Sequence, residues 1–239
     1  MELNTSVFYS GIEKLGILLS EQQINQFLKY YEMLIEKNKV MNLTAITEFD
    51  EVVVKHFIDS ISIAKYYSME KASSVIDVGT GAGFPGIPLK IVYPDLSVTL
   101  LDSLNKRVKF LAEVCEELGL QNVEMIHGRA EDFGNIADYR EKYDVCVSRA
   151  VANLSTLSEY CLPFVKTGGY FIPYKSGNIE EELQSSKKAL NILGAKVEKI
   201  ETFMLPDTEI GRSFVFIKKT KNMPKKYPRK AGLPSKEPL

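Results

Sequence analysis

The segment VIDVGTGAGFPGIP, residues 75–88, places a glycine-rich loop directly after a short apolar run. Gly79, Gly81 and Gly83 alternate with other residues, and glycine permits positive φ and close approach of the backbone to a ligand. Pro85 suits the first turn of a following helix, whose early N–H groups have no internal partner. A strand, a glycine loop and a helix in this order predict a site for a nucleotide-like ligand.

The spacing of the loop separates the possible ligands. Phe84 stands where the third glycine of a dinucleotide fingerprint is required, and the loop has no G-K-[ST] of a P-loop. Asp77 adds a carboxylate that disfavours a pyrophosphate and is compatible with a cationic ligand. Asp102, 19 residues after Gly83, closes the next apolar run and can accept hydrogen bonds from ribose hydroxyls. These residues favour S-adenosylmethionine, a cationic nucleoside without phosphate.

A parallel sheet must position these residues. From Ser73 onward, short β-branched runs alternate with helical segments. The runs predict strands over residues 74–78, 97–102, 123–127, 143–149 and 169–174, and helices over 87–93, 105–118, 154–165 (stopped by Gly168) and 179–193. Two further strands follow without a helix between them. We expect a doubly wound α/β domain whose sheet is mostly parallel and ends in an antiparallel strand pair.

The N-terminal residues predict a helical extension. Ser20 and Gln23 form a capping-box pattern, and one face of the following helix is apolar: Ile24, Phe27, Leu28, Tyr31, Leu34 and Ile35. A second apolar set begins at Val53. The predicted organisation is a helical extension over 1–70, the α/β domain over 71–221 and a basic tail over 222–239.

Composition limits the function classes. The chain has 239 residues, 45% of them hydrophobic, and contains no uninterrupted apolar run of membrane-spanning length and no secretion-like start. We therefore expect a cytoplasmic protein. The three cysteines predict buried free thiols, and with two histidines and no C-x-x-C pair we assign no metal.

Charge is concentrated at the C-terminus. Residues 218–239 carry eight basic side chains and one acidic one, against a formal net charge of -1 for the whole chain. From charge alone, this segment is equally a solvated tail or a clamp for a polyanion.

Beyond the glycine loop, several motifs resemble those of one family. The sequence is similar to the RsmG (GidB) family of class I, Rossmann-like methyltransferases, which use S-adenosylmethionine to modify guanine N7 in a small-subunit (16S) ribosomal RNA loop near the decoding region. The similarity covers essentially the whole chain, and its most specific motifs are GAGFPG, SRAVA and YPRKAG.

The resemblance implies cofactor-binding roles for Gly79, Phe84, Ala130, Glu131 and Arg149, beside Asp77, Gly81, Gly83 and Asp102 from the loop and strand pattern. Phe84 either walls the pocket or packs a helix on the sheet. Glu131 can reach the adenine edge. Arg149 needs an anionic partner, which could be the cofactor carboxylate, Asp77 or an RNA phosphate.

The identity of the target atom rests partly on motifs that the sequence lacks. It has neither an Asn-Pro-Pro-aromatic motif of adenine amino methylation nor a Pro-Cys nucleophile. Guanine N7 is already an acceptor with no proton to remove, so no general base is required. We assign no catalytic residue and name Arg149, Asn153 and Lys175 as candidates for positioning the base.

An RNA substrate gives the basic tail a role. We expect Lys225, Lys226, Arg229 and Lys230 to neutralise phosphates along an extended strap, so that deleting 222–239 weakens RNA binding without changing cofactor affinity. We expect the protein to be a monomer. Its expected partner is small-subunit ribosomal RNA, either naked or in a partly assembled subunit. A dinucleotide oxidoreductase and a non-catalytic assembly factor remain the alternatives.

Overall fold

A computed structural model describes residues 4–239 and has a seven-stranded sheet at its centre. The strand order is β3-β2-β1-β4-β5-β7-β6. The strands are β1 Ser74–Val78, β2 Ser97–Asp102, β3 Val123–His127, β4 Tyr143–Arg149, β5 Val165–Ser176, β6 Ala195–Met204 and β7 Gly211–Lys219. Strands β1 to β5 pair in parallel, and β7 pairs antiparallel with both β5 and β6. The predicted fold class is confirmed.

The helices cover both faces of this sheet. They are α1 Ser6–Leu15, α2 Glu21–Met41, α3 Phe49–Val52, α4 Asp59–Ile61, α5 Gly86–Val92, α6 Asn105–Glu117, α7 Ala130–Phe133, α8 Leu154–Cys161, α9 Glu180–Ile192 and α10 Leu233–Lys236. A π-helical segment, Val53–Ile58, joins α3 to α4. Such segments occur frequently at functional sites.

Alternation along the strands divides the core in two. Val75 and Val145 face a cluster that includes α1, α2, α5 and α6, whereas the neighbouring residues Ile76 and Cys146 face a cluster with α8 and α9. Successive strand side chains point to opposite faces, so each central strand is buried on both sides. This explains the continuous apolar runs in the sequence.

The long N-terminal helix α2 begins as predicted, at a capping box in which Ser20 and Gln23 satisfy each other's backbone N–H groups. Its buried face differs slightly from the predicted stripe. Phe27, Tyr30 and Leu34 are fully buried, while Tyr31 is only half-buried. Tyr30 takes the central position because its hydroxyl donates to the carbonyl of Ala82 in the glycine loop.

One helix prediction for the C-terminal half is corrected. The helix predicted over 154–165 ends at Cys161, because β5 begins at Val165 and contains Gly168 at φ +90°. Lys219 is one of the eight basic side chains counted in residues 218–239. It belongs to β7 and is buried, with its ammonium group 2.8 Å from the carbonyl oxygen of Leu162.

The C-terminal residues are packed against the domain, contrary to the expectation of an extended strap without helix. Met223, Tyr227 and Pro234 are buried, and Leu233–Lys236 forms the short helix α10. Met223 and Tyr227 belong to the hydrophobic core cluster that also contains residues of α8, so this segment extends that core.

The three cysteines are buried free thiols, as predicted. None of the helices within residues 4–239 is both long and apolar enough to cross a bilayer. Nowhere in that part of the chain do three or more His, Cys, Asp or Glu side chains form a group that could hold a metal ion.

Candidate active site

Two cavities lie where the central parallel strands end, the position at which open α/β sheets bind ligands. The first has a volume of about 300 Å³ and the second about 550 Å³. The first is lined by Val78, Gly79, Leu101, Asp102, Ser103, Gly128, Arg129, Ala130, Glu131, Val151, Tyr160, Gly232 and Ser235. The second is lined by Ile46, Lys55, His56, Asp59, Arg149, Ala150, Tyr174, Lys175, Ser176, Glu182 and Arg212.

The glycine loop forms part of the first cavity through Gly79. Gly79 has φ +72°, and a Cβ there would lie 2.6 Å from Cγ2 of Val151. The Gly79 amide donates to the carbonyl of Leu101, which draws the ends of β1 and β2 together. Glycine is required at this position for both its backbone conformation and the close approach of Val151.

Asp102 is a buried acceptor on the wall of the first cavity. Its carboxylate accepts hydrogen bonds from the backbone amides of Gly81 and Leu104, both at 2.9 Å, and lies 3.4 Å from the Arg107 guanidinium. Each carboxylate oxygen can accept two hydrogen bonds. Three of its four acceptor positions are used, so Asp102 is fixed in place and its Oδ1 keeps capacity for one hydroxyl donor of a ligand.

The turn after β3 supplies the opposite wall. Ala130 and Glu131 begin α7 and are both buried. One oxygen of Glu131 accepts from the amide of Gly232 at 2.8 Å, which joins this wall to the C-terminal segment. Sequence reasoning placed Glu131 at a ligand edge and did not anticipate Gly232 beside it.

Asp77, predicted to bind the cofactor, lines neither cavity. Its Oδ2 accepts from the Thr80 hydroxyl at 2.7 Å and the Gly86 amide at 2.8 Å, so it holds the loop from behind. Its Oδ1 has no hydrogen-bond partner among residues 4–239. Burial raises the pKa of Asp77 to about 6, against the lowering effect of these hydrogen bonds.

Phe84 and Gly83 also lie outside the first cavity's lining. The Phe84 ring stacks on His56, with 4.7 Å between ring centroids, and the Arg149 guanidinium lies 5.2 Å from its centroid. A Cβ at Gly83 would come within 2.6 Å of the Tyr30 hydroxyl. These contacts describe packing between the loop and the N-terminal helical segments, a role that differs from both the pocket wall and the helix-on-sheet packing considered from the sequence.

A buried carboxylate organises the second cavity. Asp59, whose side chain is 2% exposed, binds Arg149 at 2.8 Å through one oxygen and Arg212 at 2.9 Å through the other. Arg149 also donates to the carbonyl of Lys55 at 3.1 Å. The partner of Arg149 is thus none of the three that sequence reasoning considered, because α4 places Asp59 against the end of β4.

His56 lines the second cavity in its neutral form. Burial, followed by the nearby Arg149 charge, lowers the pKa of His56 to about 4. Its Nε2 lies 2.8 Å from the Thr44 hydroxyl. Sequence reasoning missed His56, Asp59 and Arg212, although an acidic residue within the apolar helical segment KHFIDSI was a usable signal.

The two remaining positioning candidates have different surroundings. Lys175 lines the second cavity, where its ammonium group lies 2.8 Å from the Ala152 carbonyl and 2.5 Å from Glu182. Asn153 lines neither cavity: it caps α8, accepting from the Thr156 amide at 3.0 Å. Its side-chain oxygen therefore has a helix-capping role, and contact with a base remains a prediction.

The turn after β4 separates the cavities. Arg149 and Ala150 line the second cavity and Val151 lines the first. Ala150 has φ +57°, a conformation rare for a residue with a side chain. Strained residues of this kind cluster at ligand sites. Consecutive residues of this one turn therefore contribute to both cavities.

Comparisons of the sequence gave consistent results. A family model described as GidB, rRNA small subunit methyltransferase G, matches residues 23–211. The chain is 55% identical over 236 residues to the ribosomal RNA small subunit methyltransferase G of Lachnoclostridium phytofermentans, covering 99% of this chain and 98% of that protein. It is 50% identical over 237 residues to the protein of the same name from Bacillus subtilis, with 99% of each chain covered.

Solved structures share the fold at low sequence identity. A mutant of MtNAS in complex with S-adenosylmethionine has a TM-score of 0.55 and 17% identity, covering 81% of this chain and 76% of that one. NSun6 from Pyrococcus horikoshii has a TM-score of 0.51 and 14% identity, covering 64% of this chain and 49% of that one. These two likenesses concern the fold alone.

Proposed function

The chain belongs to the GidB family of rRNA small subunit methyltransferases, as its motifs predicted, and we propose that it transfers a methyl group from S-adenosylmethionine to guanine N7 in small-subunit (16S) ribosomal RNA, in a loop near the decoding region. One observation supports this reaction above all: two cavities of different electrostatic character adjoin at the turn Arg149–Val151. The first takes the cofactor and the second takes the target nucleotide.

The residues of the first cavity fit S-adenosylmethionine. Its charged side chains are Asp102, Glu131 and Arg129, so carboxylates outnumber cations, which suits a cationic nucleoside better than a pyrophosphate. Asp102 accepts from a ribose hydroxyl, while Ala130 and Glu131 border the adenine. Gly79 lies nearest the turn toward the second cavity. The bound cofactor supplies an electrophilic methyl group on a sulfonium.

The charges of the second cavity suit a nucleotide. Four cationic side chains line it against two carboxylates: Lys55, Arg149, Lys175 and Arg212 against Asp59 and Glu182. Cationic side chains are the usual partners of RNA phosphates and of guanine acceptors. Arg149 and Lys175 are the residues placed to orient the guanine.

The reaction requires positioning and no general base. Guanine N7 carries no proton at neutral pH, and the histidine of the second cavity, His56, has its pKa lowered to about 4 by burial. Holding the nucleophile in line in a dry site contributes about 7–11 kcal/mol in the best cases. The guanidinium of Arg149, held by Asp59 and the Lys55 carbonyl, and the turn at Ala150 provide that orientation.

The exposed lysines of the C-terminal segment extend the RNA surface. Lys225, Lys226 and Lys230 are exposed, so they are free to neutralise phosphates. The substrate is the ribosomal RNA itself or the subunit that contains it. A ribosomal substrate places the protein in the cytoplasm.

Labelled methyl transfer tests this function. The purified chain is incubated with labelled S-adenosylmethionine and naked small-subunit RNA, assembled small subunits or both. We expect incorporation into at least one substrate and a strong loss with Asp102→Asn, which keeps the side-chain shape and removes its charge. Cofactor binding without incorporation into either substrate would instead favour a non-catalytic assembly factor.

A further inference from the structure

The C-terminal residues 223–239, here called the strap, carry the exposed lysines Lys225, Lys226 and Lys230 and also border the first cavity. We propose that the strap is a wall of the S-adenosylmethionine site and that the Arg229–Glu159 ion pair positions it. This inference rests on the proposed function, because it assumes that the first cavity holds the cofactor. It assigns cofactor-binding roles to Gly232 and Ser235, which line that cavity.

The strap contacts the cofactor site through a specific hydrogen bond. The Gly232 amide donates to Glu131 Oε1 at 2.8 Å, and Glu131 is itself a wall residue of the cavity. Gly232 has φ +82°, a conformation that glycine adopts without strain. The bond therefore fixes both the strap backbone and one oxygen of the Glu131 carboxylate beside the adenine region.

A buried ion pair anchors the strap three residues before this contact. Arg229 binds Glu159 through Nε at 2.9 Å and Nη2 at 2.7 Å, and its backbone amide donates to the same carboxylate at 2.8 Å. The Glu159 side chain is 1% exposed. Removing one partner of such a pair leaves a buried charge without compensation, so a variant at either position should loosen this part of the strap.

This pairing gives Arg229 a role other than its predicted RNA contact. Its guanidinium also donates to the carbonyl of Glu237 at 2.8 Å, so its donors are directed into the protein. The fork geometry of arginine matches a carboxylate better than lysine does. Arg229 is therefore a positioning residue for the strap, while the exposed Lys225, Lys226 and Lys230 remain candidates for RNA.

Further hydrogen bonds hold the strap on both sides of the cavity. Arg140 donates to the carbonyl of Tyr227 at 2.8 Å, before the cavity-lining residues. Thr156 donates to the carbonyl of Pro234 at 3.1 Å, and Ser155 donates to that of Leu239 at 3.0 Å. The lining segment is thus fixed between two anchors, and one wall of the cavity depends on it.

The expected consequence reverses the prediction from sequence. Deleting 222–239 was expected to leave cofactor affinity unchanged, whereas the structure predicts that affinity falls because a wall of the cavity is removed. The inner side of the strap serves the cofactor and the outer side faces RNA, so the two effects are separable by substitution.

Calorimetry of S-adenosylmethionine with the full-length chain tests the inference. Ser235→Trp places a large ring in the cavity from an exposed position, where folding is not at risk. Lys236→Trp is the matched control, because Lys236 is exposed and does not line the cavity. We expect the Kd to rise at least tenfold for S235W and to stay within twofold for K236W.

Two further variants separate the ion pair from the lysines. Arg229→Lys keeps the charge and loses the fork, so we expect a raised Kd and faster amide exchange over residues 230–235 in the ligand-free protein. The double variant Lys225→Ala/Lys226→Ala should leave both quantities unchanged.

Equal Kd values for S235W and K236W would overturn the strap's role as a wall of the cofactor site. An unaltered Kd and exchange rate for R229K would overturn the positioning role of the Arg229–Glu159 ion pair. A wild-type chain that does not bind S-adenosylmethionine would overturn the proposed function and this inference together. Cofactor binding that depends on the strap without methyl transfer to ribosomal RNA would overturn the proposed function alone.

Discussion

Gly79→Ala tests whether the contact between the glycine loop and Val151 shapes the cofactor cavity. The new Cβ would lie 2.6 Å from Val151 Cγ2, so the valine must move, and it is 41% exposed and lines the cavity. The φ of +72° adds a conformational cost of about 1–2 kcal/mol for alanine. Gly81→Ala is the matched control, since it has φ +65° and no atom within 4 Å of its Cβ.

Urea unfolding and calorimetry distinguish the two effects. Both alanine variants should lose about 1–2 kcal/mol of unfolding free energy from the shared backbone strain. We expect the Kd for S-adenosylmethionine to rise at least tenfold, about 1.4 kcal/mol, in G79A and less than about threefold in G81A. Adding Val151→Ala to G79A removes the displaced methyl groups and should restore most of the affinity.

Equal cofactor affinity in G79A and G81A would show that the Val151 contact has no role in the site. A double variant Gly79→Ala/Val151→Ala that binds as weakly as G79A would refute the steric explanation, because the clashing atom is then gone.

Three further predictions concern the second cavity, the loop carboxylate and the strap. Asp59→Asn removes the charge that holds both arginines, so methyl transfer to RNA should fall at least tenfold in steady-state assays while the Kd for S-adenosylmethionine stays unchanged. Because the pKa of His56 is lowered to about 4, His56 stabilises the fold above pH 6.5, and this contribution is lost as pH falls. Because the pKa of Asp77 is raised to about 6, Asp77 stabilises the fold at low pH, and this contribution is lost as pH rises. The two effects oppose each other in the wild type, and Asp77→Asn removes one of them. Between about pH 4 and 7, the unfolding free energy of this variant should therefore rise about 3 kcal/mol more than that of the wild type in urea titrations. Parallel pH profiles of the two proteins would contradict this. Lys225→Ala/Lys226→Ala should reduce the salt dependence of RNA binding by about one to two in log–log slope, and an unchanged slope would remove these lysines from the interface.

The sequence was sufficient for the sheet and for several residues of the first cavity's lining, but not for its C-terminal wall. Apolar runs located the parallel strands, and since the carboxyl ends of neighbouring strands converge, Gly79 and Asp102 were expected to lie at one site, while Glu131 was implied by the family resemblance. The direction of the Asp77 side chain was not accessible in this way. Whether a carboxylate at a strand end faces the ligand or the back of the loop depends on the hydrogen bonds of Thr80 and Gly86, which form only in the folded loop.

Long-range pairs account for most of what the sequence did not reveal. Arg149 was expected to need an anionic partner, but Asp59 lies 90 positions away on a different element. Arg229 and Glu159 are separated by 70 positions. Charge counts cannot distinguish an arginine that faces RNA from one that is paired inside the protein. The sequence therefore predicted a basic tail on the surface, whereas one side of this segment packs against the domain.

The position of the added methyl group tests the central claim most directly. Small-subunit RNA from a reaction with the purified chain and S-adenosylmethionine is digested and mapped by mass spectrometry, with a parallel reaction containing Asp102→Asn. The two-cavity account predicts 7-methylguanosine at one site in the wild-type reaction and a strong decrease with the variant. A methyl group on an exocyclic nitrogen, on a pyrimidine carbon or in large-subunit RNA alone would contradict it.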